Sequence, residues 1–227
     1  MILRSSFRHP PSSPPIRKDD GVEKSALLER MVFFSDAVFA IALTLLALDL
    51  KLPLHIPPEH LDAELASGIP ELIAFALSFL IIARVWMSHH ADFYRIKVFT
   101  PQLAALNMLL LFFIVMLPAS TSVLSDYGGY DNPLPSVLYA ATISGVYLAL
   151  AGMWTYAWRK GLTDDTVDEY EHRRVFWGRI VVPAVFLLSI PAAFFLTSTT
   201  PYLWLLIIPA ALLFRRLFRR AAKVTGP

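Results

Sequence analysis

Long apolar runs constrain this chain more than any other feature of its sequence. A helix needs about 20 mostly apolar residues to cross the hydrocarbon core of a bilayer, and six segments of the 227-residue chain are close to that length. The segments are residues 32–52, 69–88, 101–118, 134–158, 175–196 and 201–218. Composition agrees, because 56% of the residues are hydrophobic and only 17% are charged. The sequence therefore predicts an all-α membrane protein with six transmembrane helices.

The basic residues flank these segments asymmetrically. The two chain ends and the connections after the second and fourth segments carry 19 of the 20 lysines and arginines, and only Lys51 lies on the other side. Basic residues concentrate on the cytoplasmic side of membrane proteins. We therefore expect a multi-pass protein of the cell (plasma) membrane, in contact with the lipid bilayer, with both termini in the cytoplasm.

The ends of the chain differ in composition from its apolar middle. Residues 1–25 are rich in proline, serine and charge, a composition that cannot bury enough apolar surface to fold. We expect residues 1–25 to form a disordered cytoplasmic tail, residues 26–218 a six-helix transmembrane domain, and residues 219–227 a basic cytoplasmic tail.

Residue content argues against several classes of function. The chain has no cysteine, which excludes disulfides, thiolate metal sites and cysteine nucleophiles. No basic stripe follows a polar face, so we expect no nucleic-acid partner. Adjacent His89 and His90 point to different sides of a helix, so the pattern His89-His90-x-Asp92 predicts no metal site. Asp36 and Asp49 are the only acids of the first segment and lie roughly 20 Å apart along a helix. We therefore predict no catalytic residues and no enzyme activity.

The first segment contains two features of interest. Asp36 lies within an apolar run, where a charge is costly unless it is paired or hydrated. Either an ion path or a structural buried pair would explain Asp36, and the residues alone leave both open. At about 100° per residue, Ile41, Leu45 and Leu48 fall on one narrow helix face. Taken alone, such a stripe more often packs against protein or lipid than it lines a pore.

A longer motif around Asp36 carries a family resemblance. Its parts are Arg30-x-x-x-Phe34-Ser35-Asp36 followed by Ala-Val-Phe-Ala-Ile-Ala and Thr44-Leu45-Leu46, then Trp86-x-x-His89 in the second segment and Leu106-Asn107 in the third. This pattern resembles the FSD-motif potassium channels, the transmembrane protein 175 family, and in particular its prokaryotic single-repeat members. The resemblance implies six helices per subunit, a homotetramer, and a pore lined by the first helix of each of four subunits. It also implies permeant potassium ions and no cofactor.

The resemblance assigns roles along the first helix. Ile41 matches the narrowest ring of the family pore, and Leu45 and Leu48 match apolar rings above it. Such rings can gate by dewetting, and they can select by requiring an ion to shed water, which costs more for sodium than for potassium. Thr44 matches a hydroxyl-bearing selectivity layer. Ala40 replaces a serine that some members carry, so we expect a weakly selective, leak-like channel for monovalent cations.

The remaining motif residues are expected to support the pore helix. Arg30 and Asp36 are six residues apart and cannot meet on one helix face. Buried polar groups need partners, so we expect a structural polar network between the first three segments. Its members are Arg30, Phe34, Ser35, Asp36, Trp86, His89 and Asn107.

Two other features bear on the function. A secondary transporter or proton-coupled cation carrier is the alternative to a channel, although no inverted repeat or matched pair of broken helices is evident. The acidic residues between positions 164 and 171 are expected to form a solvated cytoplasmic connection.

Overall fold

The computed structural model describes residues 18–48, 50, 57, 61–127, 131–196 and 200–206, and these residues form helices joined by short connections. The helices are α1 (Lys18–Leu48), α2 (Leu61–Ser67), α3 (Ile69–Arg95), α4 (Pro101–Tyr127), α5 (Leu134–Arg159), α6 (Glu169–Ala193) and α7 (Thr200–Leu203), followed by a 3-10 turn at Trp204–Leu206.

Five of these helices, α1, α3, α4, α5 and α6, are long and apolar enough to cross a membrane. They correspond to the first five predicted segments, which confirms the prediction of an all-α membrane protein. The sixth predicted segment, residues 201–218, lies mostly outside the described residues. Only its beginning is seen, as α7 and the 3-10 turn.

The first helix begins earlier than its apolar run. Helix α1 starts at Lys18, so residues 18–25, which were assigned to the disordered tail, are helical instead. The prolines of the tail end at Pro15, so no proline in residues 18–25 removes a backbone donor from the helix. Residues 1–17 and the predicted basic tail at 219–227 lie outside the described residues.

Helix α4 continues through a proline. Pro118 was expected to end the third span, but the helix extends to Tyr127. The hydroxyls of Ser120 and Thr121 both donate to the Leu117 carbonyl, at 3.0 and 2.8 Å. These bonds do not replace the one that Pro118 removes, which would join its amide to the Ile114 carbonyl. A transmembrane helix tolerates such a missing bond where neighbouring helices pack around it.

The helices pack in an order that leaves α1 at one edge. Helix α5 lies between α4 and α6, and α1 packs against α3 and α4. The largest fully buried side chains of the α5–α6 region are Trp154, Tyr139 and Phe186. Close approach of α4 and α5 requires Gly145, because a Cβ atom there would overlap the ring of Phe113. The pore-helix candidate is thus supported from one side only.

The two connections at one end of the bundle are joined to each other. We call this end, where α3 and α5 end and α4 and α6 begin, the basic end. Ile96 and Thr163 form an antiparallel bridge there. The Lys97 amide donates to the Leu162 carbonyl, and the Asp164 amide donates to the carbonyl of Arg95, each at 2.8 Å.

The acidic stretch at the basic end is more structured than expected. The Asp168 carboxylate accepts from the Glu171 amide at 2.7 Å and so caps α6. Asp164 accepts from the hydroxyl and amide of Thr166, and the hydroxyl bond lowers the pKa of the Asp164 carboxyl. Glu171 pairs with Arg95 at 2.8 Å and thereby ties α6 to α3. These acids therefore organise the connection instead of only solvating it.

Candidate functional site

Helix α1 has one face that packs against the bundle and one that does not. The packed face carries Met31, Ser35, Phe39, Ala42 and Leu46, all buried at helical spacing. These side chains meet α3 and α4. Because α1 lies at the edge of the described bundle, none of the described helices covers its opposite face.

The uncovered face carries the predicted pore residues. Ile41 is 56% exposed, Leu45 43% and Leu48 79%. Large apolar side chains in such a row indicate contact with lipid, with another subunit or with a pore. The described part of the subunit therefore leaves exposed the stripe to which the family resemblance assigns the pore.

Thr44 is also exposed and lies beside this stripe. Its hydroxyl donates to the Ile41 carbonyl at 2.8 Å. A hydroxyl has one proton and two lone pairs. Because the proton is used within the helix, the oxygen presents acceptor capacity outward, as a layer that contacts cations requires.

Behind the stripe, a chain of hydrogen bonds joins α1 to α4 and α3. The Ser35 hydroxyl donates to the Met31 carbonyl at 2.9 Å and accepts from Asn107 Nδ2 at 2.8 Å. Asn107 Oδ1 lies 2.9 Å from His89 Nε2. Since Oδ1 is an acceptor, Nε2 of His89 carries the proton in this arrangement.

The side chains that form these hydrogen bonds are buried, so water cannot replace a missing partner. Ser35, His89 and Asn107 each have 0% exposure. The rings of Phe39 and Phe93 lie 5.4 and 4.6 Å from the His89 ring, centre to centre. Polar groups without water must be paired by protein, so the three side chains specify how α1, α3 and α4 fit together.

A second contact joins α1 to α3, about one turn of α3 away from His89. Trp86 Nε1 donates to Asp36 Oδ1 at 2.8 Å. Trp86 is 40% exposed, so this contact lies nearer the surface of the subunit than the hydrogen bonds that join Ser35, Asn107 and His89. The Trp86 ring also lies 5.9 Å from the ring of His90.

The structure brings together five of the seven residues expected in the network. Ser35, Asp36, Trp86, His89 and Asn107 are joined as described above. The other two, Arg30 and Phe34, lie on the exposed side of α1. Within the part of the chain that the structure describes, neither adds a hydrogen bond to this group.

Sequence reasoning missed a buried ion pair. Arg179 Nη2 lies 2.6 Å from Asp92 Oδ1, with side-chain exposures of 10% and 4%. Arg179 was assigned to a basic connection and Asp92 to a weak metal pattern. The available signal was the position of Arg179 directly before the apolar run Ile180-Val181-Val182, since a charge within an apolar helix needs a partner. Among the described residues, no group of three or more His, Asp or Glu side chains could hold a metal ion.

Comparison with known proteins places this site in a family. A model of the endosomal/lysosomal potassium channel TMEM175 matches residues 30–118, which include the motif of α1 and its partners on α3 and α4. A protein of Streptomyces collinus named a potassium channel is 34% identical over 142 residues, which are 61% of this chain and 69% of that relative. The chain belongs to the TMEM175 family.

Other TMEM175 relatives agree in sequence and fold. A second protein named a potassium channel, from Chamaesiphon minutus, is 34% identical over 138 residues, or 60% of this chain and 66% of that relative. A crystal structure described as a lysosomal potassium-selective TMEM175 homologue from Chamaesiphon minutus has a TM-score of 0.70 and 25% identity. The match covers 83% of this chain and 98% of that one. The family resemblance inferred from the TMEM175 motif residues is therefore confirmed.

Proposed function

We propose that this chain is a potassium-permeable cation channel in which α1 from each of four subunits lines the pore. The observation that carries the proposal is the pairing of two faces on α1. One face is a bare apolar stripe, and the other is fixed to α3 and α4 by buried hydrogen bonds. A helix that lines an ion path needs one face that is free to meet the ions and another face that is fixed to the rest of the subunit.

The chemistry of the stripe determines the expected selectivity. In a ring of four Ile41 side chains, an ion meets no oxygen and must pass with reduced hydration. Shedding water costs more for sodium than for potassium, because the smaller ion holds water more strongly. The Thr44 oxygens, one turn away, replace part of the water that the ion sheds. The proposed channel therefore passes potassium with weak discrimination and leak-like behaviour.

The membership of the family supports a channel over other classes. The TMEM175 family model describes an ion channel, in agreement with the prediction that the chain is not an enzyme. The proposal also includes a homotetramer, monovalent cations as permeant species, a location in the plasma membrane, and both termini in the cytoplasm. The basic residues of the connections support that orientation.

Ion flux into proteoliposomes tests the proposal. Purified protein is reconstituted with a potassium, sodium or large organic cation gradient, and uptake is followed with and without a potential across the bilayer. We expect uncoupled potassium flux that follows the potential, slower sodium flux, and exclusion of the large cation. Strict one-for-one coupling to a counter-ion, without uncoupled current, would support the carrier alternative.

A further inference from the structure

The ion pair of Asp92 and Arg179 joins helices that otherwise touch little. Helix α6 packs on α5, and its extensive contacts do not include α3. The guanidinium of Arg179 nevertheless reaches the Asp92 carboxylate at 2.6 Å. A second pair, Arg95 with Glu171 at 2.8 Å, joins the same two helices closer to the basic end.

Arg179 of α6 is buried between α3 and α5. Besides Asp92 on α3, it lies 3.4 Å from the Leu150 carbonyl of α5 and 5.6 Å from the centre of the Trp154 ring. Asp92 Oδ2 is buried and has no hydrogen-bond partner among the described residues. Arg179 is therefore the group on which the Asp92 carboxylate depends, and removing either partner leaves an uncompensated charge.

Helix α3 contacts three neighbouring helices through three polar residues of its last part. Trp86 bonds to α1, His89 to α4 and Asp92 to α6. The three residues are spaced by three, and each step of three turns the side chain by about 60° and rises about 4.5 Å. The segment of α3 from Trp86 to Asp92 therefore acts as a rigid connector between α6 and the helix proposed to line the pore.

Helices α6 and α1 have no extensive contact with each other among the described residues. Helix α6 is therefore linked to α1 by packing through α5 and α4, and also by a polar route through α3. The polar route runs from Arg179 to Asp92, along α3 to Trp86, and then to Asp36. A shift of α3 at Asp92 therefore reaches the pore helix.

We infer that the Asp92–Arg179 pair is a positioning contact that holds α3, and through Trp86 and Asp36 the helix α1, in the conducting arrangement. The inference rests on the proposed function as a channel. Without the pair, α3 is attached to α6 only through Arg95 and Glu171 near its end, and α1 is freer to move toward the pore axis. Apolar side chains at the constriction then pack on one another and exclude water.

The inference separates how often the channel is open from what passes through it. The pair lies outside the stripe of Ile41, Leu45 and Leu48, so its loss leaves the chemistry of the constriction unchanged. Open probability should fall, while single-channel conductance and the potassium-to-sodium permeability ratio stay at their native values. A role in folding alone would lower the amount of channel and leave all three quantities unchanged.

Single-channel recording in planar bilayers tests this directly. Arg179→Gln is compared with Arg173→Gln, a matched change at an arginine whose side chain is 65% exposed and whose pair with Glu169 spans 4.0 Å. We expect Arg179→Gln to lower open probability by about fivefold or more. Arg173→Gln should behave as the native chain, and Arg179→Lys, which keeps the charge, should lie between.

Two further outcomes keep the test decisive. If Arg179→Gln does not insert, the comparison uses Asp92→Asn with Arg179→Gln, which removes both charges and leaves no unpaired ion; the same fall in open probability is expected. Native open probability, or a higher one, in every inserted variant overturns the inference while the proposed function stands. Absence of potassium current from the native chain overturns the proposed function and this inference with it.

Discussion

At the scale of single residues, the support of α1, the proposed pore helix, depends on a few buried polar atoms. Asn107 is satisfied on both sides of its amide, by Ser35 and by His89. Each bond is modest in net terms, but a buried group left unpaired costs about 1–3 kcal/mol. The sequence predicted that these residues would meet, because the motif resemblance supplied them as a set. It did not predict Arg30 and Phe34 on the exposed side, since helical direction alone does not tell which neighbour a residue faces.

Removal of the Ser35 hydroxyl tests the buried chain. Ser35→Ala should destabilise the protein by about 1–3 kcal/mol, because Asn107 Nδ2 loses its acceptor away from water. The matched control is Ser88→Ala, since Ser88 also donates to a carbonyl four residues earlier but forms no described bond to another helix. Thermal unfolding in detergent should show a lower melting temperature for Ser35→Ala only. Equal melting temperatures would mean that the hydroxyl contributes nothing.

At the scale of helices, α4 packs closely against α5, and α3 and α1 pack against α4. The hydropathy of the sequence was sufficient to locate five spans. It misplaced their ends, because a helix can extend beyond its apolar run: α1 begins before that run, and α4 continues past Pro118. It also missed the Asp92–Arg179 pair, because which charges meet across a bundle depends on helix rotation and order, and no single helix reveals either.

The two glycines of α5 provide a matched test of this packing. Gly145→Ala should destabilise the protein by about 1–3 kcal/mol, because the new methyl group overlaps the Phe113 ring. Gly152→Ala should cause no loss, because a Cβ atom there meets nothing within 4 Å. Melting temperatures of the two variants are the measurement. When Phe113→Ala has already removed the ring, Gly145→Ala should cause a smaller loss than it does in the native chain; an equal loss would point to another cause.

At the scale of the whole molecule, the proposed pore requires more than one subunit. In the proposed tetramer, the exposed apolar stripes of four α1 helices face one another. The proposed tetramer should have a protein mass of four times the 25.5 kDa chain. Native mass spectrometry in detergent measures this mass, and a monomer or dimer as the largest species would contradict the proposed pore.

Orientation is a second property of the whole molecule. The basic residues predict both chain ends in the cytoplasm. Reporter domains that are active only in the cytoplasm, fused to either end in separate proteins, should both be active. Activity at one end only would require an odd number of spans, and would show that the sixth predicted segment, residues 201–218, does not cross the membrane.

The central claim is that the stripe on α1 faces permeating ions, and a single introduced cysteine tests it most directly. The chain has no cysteine of its own, so Ile41→Cys carries the only thiol. Leu188→Cys is the control, at a side chain of α6 that is 76% exposed. Silver ions react with thiols and are small enough to enter a cation path. We predict that silver abolishes potassium current through Ile41→Cys and leaves Leu188→Cys unaffected; persistent current through silver-treated Ile41→Cys would contradict the account.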